Sequence, residues 1–564
     1  MAGDDDLEDE FAAFEREAKE AAAKAQEEMA KGAKAHPDDE GTKEEPASAA
    51  SDEPEEEEDE FAAFEREARE AAAAAASSMG GGASGGTSTA TASSAPKADE
   101  KAEEAEEEED DVPAGVLTDA EKKLRDAAQE AAKKTINKAS KALFGATSQT
   151  ILVVGGGIAG ITAAIEAAET GYDVILLEKQ SYLGGRVTRL NRYFPKLCHP
   201  SCGLEINYQR IKNNRLLKVM TMTEVVGVSG SKGDYKVKIK TSPRFIDEGC
   251  NGCGSCSDAV ETTVENEYNY GMDEIKAVNL PHEHAFPMKY VMDPSVIGTD
   301  DADKIKNACS SGHVDLDAKA EEGDLSVGAI IWATGWKPYD SNKLEVYSYG
   351  ASPDIINNVE MERLASPDGP TQGKILKPSD GSEPKRIAMI QCAGSRDINH
   401  LPYCSMICCL ASLKHAAYIR EQYADAEVDI YYIDIRAHDK MTSFYERVKR
   451  DAKVNFIKSK PGHITIGEDG RPLIHGEITI GDRKIYDEAY DLVVLATGME
   501  PSLPIETDFE AAPERDEYGF VINGDDSDNG QFAAGVAGGP FDVALSTQTA
   551  TASALKAIQA VRGN

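Results

Sequence analysis

The sequence predicts an α/β fold: two nucleotide-binding-type domains on parallel sheets, a small cysteine-rich insert and a polar N-terminal tail. Three observations carry this. Residues 151–178 run strand, glycine-rich turn, helix, strand, the pattern of a dinucleotide-binding unit. A second strand, KRIAMIQ from Lys385, opens another such stretch. The net charge of −41 is uneven, with −27 of it in residues 1–111.

From the N-terminus, residues 1–111 hold 37 acidic and 10 basic side chains, and the remainder carries only −14. The runs GGGASGGTSTATASS and EEAEEEEDD cannot bury enough apolar area to offset their ordering entropy, so a disordered acidic tail is expected. EDEFAAFEREA occurs at Glu8 and again at Glu58, each copy an alanine-rich helix former with a phenylalanine pair, Phe11/Phe14 and Phe61/Phe64. The copies serve either as solubilising segments or as two docking helices on one tether, where linkage raises effective concentration. Residues 112–147 follow as a helical linker, with Thr118 as N-cap and Leu124, Ala127, Ala131, Ile136 and Leu143 at apolar positions.

The charge excludes nucleic-acid binding through the bulk surface and disfavours adsorption to anionic lipid. No run of about 18 apolar residues predicts direct membrane insertion. MAGDDDLEDE has neither the basic nor the apolar region of a secretory leader. A cytoplasmic chain is expected, whose ten cysteines point to metal or redox chemistry rather than disulfides.

Residues 148–243 open the first domain. In Gly155-x-Gly157-x-x-Gly160, Gly155 makes the tight turn, Gly157 admits a pyrophosphate to the backbone, and Gly160 lets helix and strand pack closely. Ile158 and Ala159 begin the helix whose N-terminus faces the phosphates. Glu178, followed by Lys179, suits a ribose hydroxyl. Further motifs resemble the FAD branch of the two-dinucleotide-binding-domain, thioredoxin-reductase-like flavoproteins. These are Gly184-Gly185-Arg186; Thr223-Glu224-Val225, the strand whose backbone meets adenine; and Ala333-Thr334-Gly335, the turn that closes over the cofactor, with a second such element at Ala496-Thr497-Gly498. In FAAGVAGGPFDVALSTQTATASA, Gly535 ends a strand, and a helix start near Phe541 to Ala544 approaches the flavin. The resemblance implies bound FAD and an FAD domain in three parts, 148–243, 323–384 and 501–564, interrupted by a second nucleotide-type domain at 385–500. Lys337 is read either as positive charge near reduced flavin or as a solvated loop residue.

The second domain's opening strand runs into Cys392-Ala-Gly-Ser-Arg-Asp instead of a glycine cradle, so NAD(P)H is not expected to bind there. Cys392, Cys404, Cys408 and Cys409 offer four thiolates that suit a 4Fe–4S cluster better than zinc, for which adjacent cysteines are awkward. QCAGSRD, YCSMICC and SLKHA resemble the A-type flavoproteins of heterodisulfide reductases and their relatives over residues 150–564. NRYFPKLCHPSCGLEINYQRI narrows the resemblance to the A-type flavoproteins of quinone-interacting membrane-bound oxidoreductases of sulfate-reducing prokaryotes. That resemblance implies an oxidoreductase subunit carrying FAD and iron–sulfur centres, held at the membrane by a B-type flavoprotein and a quinone-reactive membrane subunit. Electrons would pass between the quinone pool and adenylylsulfate reductase. Two alternatives stay open: a related, electron-bifurcating flavoprotein with another partner, and a stand-alone flavin disulfide reductase.

The insert, residues 244–322, carries Cys250, Cys253 and Cys256 in the C-x2-C-x2-C spacing of bacterial ferredoxins, with Val260 where the next cysteine would stand. In two-cluster ferredoxins that fourth cysteine serves the other cluster, so the partner of these three is sought further along. Cys309, in KNACSSGHVDL, resembles the last cysteine of the ferredoxin pattern, with Ser310 in place of proline. A ferredoxin-like insert with one 4Fe–4S cluster is expected, the chain holding one or two in all. A three-iron or Asp258-assisted cluster, or none, are the alternatives. Cys198 and Cys202 are read as packing residues, a redox dithiol beside the flavin, or metal ligands. His199, His282, His284 and His313 stand apart from carboxylates in sequence and are read as surface or packing residues.

Overall fold

The structure is a computed structural model that describes residues 149–478, 480–481, 483–503, 509–523 and 529–562. The tail, its repeats and the helical linker lie outside the described residues. The first sheet contains β1 (Ile151–Val154), β2 (Val174–Leu177), β3 (Leu217–Met220), β4 (Ala329–Trp332) and the strand Gln531–Ala533. All are parallel, in the order Gln531–Ala533, β4, β1, β2, β3. Every residue of β1, β2 and β4 is buried, which is why they read as unbroken apolar runs: both faces of the sheet are covered. One face packs on α1 (Ile158–Glu169) and the C-terminal helix Val543–Arg562 through small residues such as Ala163, Ala167, Ala550 and Ala554. The other meets a three-stranded antiparallel sheet, Thr223–Ser231, Asp234–Thr241 and Glu321–Val327, through Val225, Val237 and Leu325.

The second sheet is built from β5 (Ile355–Asn357), β6 (Arg386–Ala393), β7 (Glu427–Tyr431), β8 (Val454–Ile457) and β9 (Leu492–Thr497), parallel in the order β5, β9, β6, β7, β8. It repeats the strand order of the first sheet except at one edge, where β5 arrives from upstream. This corrects the boundary read from sequence. Residues 355–365 fall within the expected 323–384 part of the FAD domain, yet β5 pairs with β9 and the helix Asn358–Ala365 packs on the second sheet. Three residues are too few for a strand periodicity to show. The helix start is fixed by a capping box in which Asn357 accepts from Glu360 N and Glu360 accepts from Asn357 N.

The insert has its own core of Phe245, Ile246, Val260, Val278, Met292 and Ile305. Around it lie two antiparallel ribbons and the short helices Ser255–Asp258 and Asp300–Ala308. Two features join the sheets. Trp336–Pro338 pairs with Met499–Pro501, so the two Ala-Thr-Gly turns feed one ribbon. The segment 186–195 after the glycine pair is also held by ionised side chains of the second domain.

Glu362, Lys414 and His415 are at most 3 % exposed. Glu362 Oε1 accepts from His415 Nε2 at 2.5 Å and pairs with Lys414 Nζ at 2.8 Å, while Oε2 accepts from the Asn191 amide at 3.0 Å. Lys414 Nζ also donates to the Arg192 carbonyl at 2.8 Å. Next in sequence, the fully buried Arg363 donates to the Arg189 carbonyl, to Asn269 of the insert and to Asp368. Burial works against the charge of Glu362, but Lys414 and His415 overcome it and hold its carboxyl at about 2. Burial keeps His415 below the usual histidine range, although Glu362 opposes this.

Removing one partner of such a buried pair strands the other charge. Glu362→Gln is expected to cost about 3–5 kcal/mol in denaturant unfolding. Glu421→Gln, which removes only the exposed partner of Arg192, is expected to leave the midpoint in place. Because the Glu362 carboxyl titrates lower in the folded chain than its ordinary 4.5, its contribution is complete above pH 4.5 and is lost as pH falls toward 2.

Candidate flavin and thiol sites

The first site is a cavity of about 600 Å³ at the carboxyl ends of the first sheet. Its lining includes Gly155, Gly157, Ile158, Ala159, Glu178, Lys179, Gly184, Gly185, Arg186, Val225, Ala333, Thr334 and Gly335. The glycines explain its shape. A Cβ at Gly155, whose φ is +109°, would lie 2.3 Å from the Ala333 carbonyl oxygen. One at Gly160 would lie 1.8 Å from the Gly155 carbonyl oxygen, so that glycine supports the turn from behind without lining the cavity. At Gly157 a Cβ meets nothing within 4 Å, and the residue caps α1 without a side-chain hydrogen bond. The open space and the free first-turn amides form a cradle of the kind a pyrophosphate fills.

Glu178 is buried, and its two oxygens accept from the amides of Gly156 and Gln180, each at 2.7 Å. Burial raises its carboxyl and these backbone donors oppose the rise. Each oxygen retains acceptor capacity toward a ribose hydroxyl. Thr223, Glu224 and Val225 line the same end. Arg186 is committed within the protein: Nε donates to the Trp336 carbonyl, Nη1 donates to Tyr270 of the insert at 3.1 Å, and the guanidinium lies over the Trp336 ring at 5.0 Å. At the far end, Ala534, Val536, Asp542, Val543 and Ser546 line the cavity, but Gly535 and Ala544 do not. Gly535 has φ +61°, and a Cβ there would lie 2.6 Å from Ala159, so it brings the last strand against α1. Lys337 lines the cavity and stands 4.0 Å from Glu500. The geometry fits an extended dinucleotide with phosphates at α1 and a ribose at Glu178.

Sequence reasoning missed several lining residues. Tyr182 and Arg189 follow Glu178, and Arg189 Nη2 donates to Tyr182 Oη at 2.9 Å. Pro501, Ser502 and Leu503 enter through the ribbon after the second Ala-Thr-Gly turn, whose likeness to the first was the available signal. Asp542 accepts from the Leu545 amide at 2.8 Å and caps the last helix.

The second site lies where a nucleotide domain would carry its glycine loop. The β6 ladder slips register between Ile390 and Ala393, and Cys392 has φ +57°. Cys408 and Cys409 begin the helix Cys408–Gln422. Cys392, Cys408 and Cys409 are buried, Cys404 is half-buried, and Cys408 and Cys409 each lie within electrostatic reach of Cys392 and Cys404. Burial and this mutual repulsion raise Cys392, push Cys409 up to about 11, and hold Cys408 well above the usual thiol range. Arg396 opposes the rise at Cys392, and the Arg436 amide donates to Cys409 Sγ at 3.4 Å. Such thiols lose their protons only to a compensating cation.

The insert brings together Cys250, Cys256 and Cys309 in its core, with Cys253 exposed beside them. Burial, with Cys250 and Cys309 nearby, pushes Cys256 up to about 11. The His313 amide donates to Cys309 Sγ at 3.3 Å, and Tyr290, absent from the sequence reading, packs among these cysteines. His313 is paired with Asp247 at 2.7 Å, a partner hidden in sequence by 65 intervening residues. Among the described residues no three or more His, Cys, Asp or Glu side chains are gathered to hold a single metal ion. Cys198 and Cys202 are exposed and do not line the flavin cavity.

Residues 150–220 match the FAD dependent oxidoreductase family model. Over about 73% of its length the chain is similar to A-type components of heterodisulfide reductases. It is 36% identical over 424 residues to the A-type component of the ferredoxin/F(420)H(2)-dependent CoB-CoM heterodisulfide reductase of Methanosarcina acetivorans, covering 73% of this chain and 53% of that protein. It is 36% identical over 423 residues to the second A-type iron–sulfur component of the CoB–CoM heterodisulfide reductase of Methanopyrus kandleri, covering 73% and 64%. It therefore spans between half and two thirds of these relatives' length. Among solved structures it is similar to Lactococcus lactis thioredoxin reductase, at 15% identity and a TM-score of 0.42, covering 74% of this chain and all of that one.

Gly157→Ala is expected to fold with an unchanged melting temperature and to bind FAD at least tenfold more weakly in fluorescence titration, because its methyl fills only the cradle. Gly160→Ala is expected to lose FAD and stability together, because its methyl meets backbone.

Proposed function

Proceeding from this kinship with heterodisulfide reductase flavoproteins among FAD-dependent oxidoreductases, we propose that the protein is a flavin and iron–sulfur electron relay. One observation carries the reading: four cysteines, three of them buried, gather where a pyridine-nucleotide loop would otherwise stand. The residues of the first cavity would hold FAD, with Gly157 and the start of α1 at the phosphates and Glu178 at a ribose. Cys392, Cys404, Cys408 and Cys409 would hold one 4Fe–4S cluster, and Cys250, Cys253, Cys256 and Cys309 a second in a ferredoxin-like insert. A cubane takes one thiolate per iron, so its four cysteines need not converge on a single point. FAD supplies a two-electron carrier and each cluster a one-electron carrier.

The protein's own part is positional. Arg186 ties the flavin cavity to the insert, the Trp336–Pro338 ribbon ties the two sheets, and Glu362, Lys414 and Arg363 hold the cavity wall against the second domain and the helix begun by Cys408. Arg396 and the Arg436 amide put positive charge and a donor at the sulfurs, a lever on potential. In its finer form the proposal is a subunit held at the membrane by partners, relaying electrons between the quinone pool and adenylylsulfate reductase, as its sequence resemblance suggests. Among the described residues no helix is long and apolar enough to cross a membrane. The proposal assigns the membrane hold to the B-type flavoprotein and quinone-reactive partners.

The test uses protein purified without oxygen. NADH and NADPH are expected to leave the flavin absorbance unchanged, while quinol-bearing membranes containing the partner subunits bleach it. Cys408→Ser is expected to lower iron by about half, one cubane of two, with FAD retained. Bleaching by NADPH alone, or unchanged iron in Cys408→Ser, would contradict the reading.

A further inference from the structure

On a chain of net charge −41, residues 436–460 have the opposite character: eight lysines and arginines against three aspartates and glutamates. They comprise the end of the segment after β7, the helix Lys440–Lys449 and β8, which is the outer edge of the second sheet. Phe444 and Val448 anchor the helix in the core. Its charged residues turn outward, and Lys440, Lys449 and Arg450 are exposed, as is Lys458 after β8. Asp434, Glu427 and Asp397 pair with three other cations, Arg436, Lys453 and Lys460. Lys440, Lys449, Arg450 and Lys458 have no ion-pair partner among the described residues.

Three half-buried aromatic rings lie in the same stretch. Tyr445 of the helix meets Phe456 of β8 edge-on at 5.5 Å, and Tyr432, directly after β7, meets Phe456 at 6.3 Å. Lys449 Nζ sits over the Tyr445 ring at 5.4 Å. The patch adjoins the second thiol site. From Tyr432 the chain continues to Asp434, whose carbonyl accepts from Cys409 Sγ at 3.6 Å, and to Arg436, whose amide donates to that sulfur at 3.4 Å. Tyr432 and Asp434 are two residues apart, about 7 Å at full extension.

Solubility does not call for these cations, because the chain is already far from neutral, and gathering like charges on one face costs self-repulsion. Aromatic rings with cations around them match the make-up of a protein interface, apolar at its core and polar at its rim. Extended polyanions fit poorly. The helix is about 15 Å long, about two Debye lengths at physiological salt. A nucleic-acid strand or an anionic bilayer would run off the patch onto the acidic remainder. A compact acidic face would not.

We propose that the helix Lys440–Lys449 and the flank of β8 form the docking surface for a small redox protein with an acidic face, seated beside Cys409. That the partner is a redox protein rests on the electron-relay reading; its acidity and compactness rest on the surface alone.

The test is binding of flavodoxin, a small acidic one-electron carrier, to the full-length holoprotein purified without oxygen. At about 0.1 M ionic strength the Debye length is about 10 Å, so the patch outweighs distant negative charge. One flavodoxin is expected to bind per chain, and about 1 M salt is expected to weaken it about tenfold or more. Zero-length carbodiimide coupling is expected to join Lys449 or Lys458 to flavodoxin carboxylates. Lys440→Gln/Lys449→Gln/Arg450→Gln/Lys458→Gln is expected to weaken binding about tenfold or more, with the melting temperature unchanged. Lys236→Gln/Lys238→Gln/Lys240→Gln, which neutralises exposed lysines on the strand Asp234–Thr241, is expected to leave binding as it was. Should the quadruple variant not fold, the coupling map and salt dependence of the unaltered protein decide. Absence of binding, equal weakening by both variants, or coupling of Lys449 and Lys458 into residues 1–111 of the same chain overturns the proposal. Tighter patch-dependent binding of single-stranded DNA or phosphatidylserine vesicles also overturns it. The iron content of the same samples separates this from the relay. Patch-dependent binding by protein without iron keeps the surface and removes the redox character of its partner; full iron without patch-dependent binding keeps the relay and removes the surface.

Discussion

The arrangement of the molecule depends on one carboxylate. Glu362 comes from the helix that follows the upstream edge strand, and its two oxygens reach a lysine, a histidine and the amide of Asn191, all in the interior. Isolated, that charge would be too costly to bury; paired and fully hydrogen-bonded, it is stable only in this geometry. The segment it grips follows directly from the flavin cavity wall, and the helix that supplies its partners begins at Cys408 and Cys409. Two similar sheets joined by a short ribbon would leave the angle between them as a free variable. Here buried ionic contacts to three closely spaced backbone positions, Arg189, Asn191 and Arg192, remove that freedom.

Fixed geometry suits a relay. Electron carriers held at constant separation need no domain motion between steps, whereas an enzyme that presents its flavin alternately to two substrates does. The cysteine chemistry agrees. Buried thiols whose ionised forms would repel one another are poor nucleophiles and poor acids, and they become thiolates only around a cation. The exposed Cys198 and Cys202, the dithiol of the disulfide-reductase alternative, do not line the flavin cavity.

Much of the flavin site was legible because it is local. Gly155, Gly157, Gly160 and Glu178 lie within one strand–helix–strand unit, and the space each glycine keeps open is set by near neighbours. The two Ala-Thr-Gly turns announced themselves by likeness, and their shared ribbon followed. What was hidden is non-local. The pairing of Glu362 with Asn191 spans 171 residues, and β5 is too short to show a period. Arg186, read as a cofactor contact, does line the cavity, but its further bonds to Trp336 and Tyr270 use two of its five donors and arise only when the insert is folded. Gly535 and Ala544 were placed one residue off the lining, because a motif gives the helix start but not which face of its first turn looks inward.

The most direct measurement of the account is the number of electrons the oxygen-free holoprotein accepts in a dithionite titration followed by flavin absorbance and by iron–sulfur spectroscopy. The account predicts about four electrons per chain, two entering at the flavin and one at each of two cysteine-held clusters. About two electrons, all at the flavin, would contradict it and leave the buried thiols as packing alone.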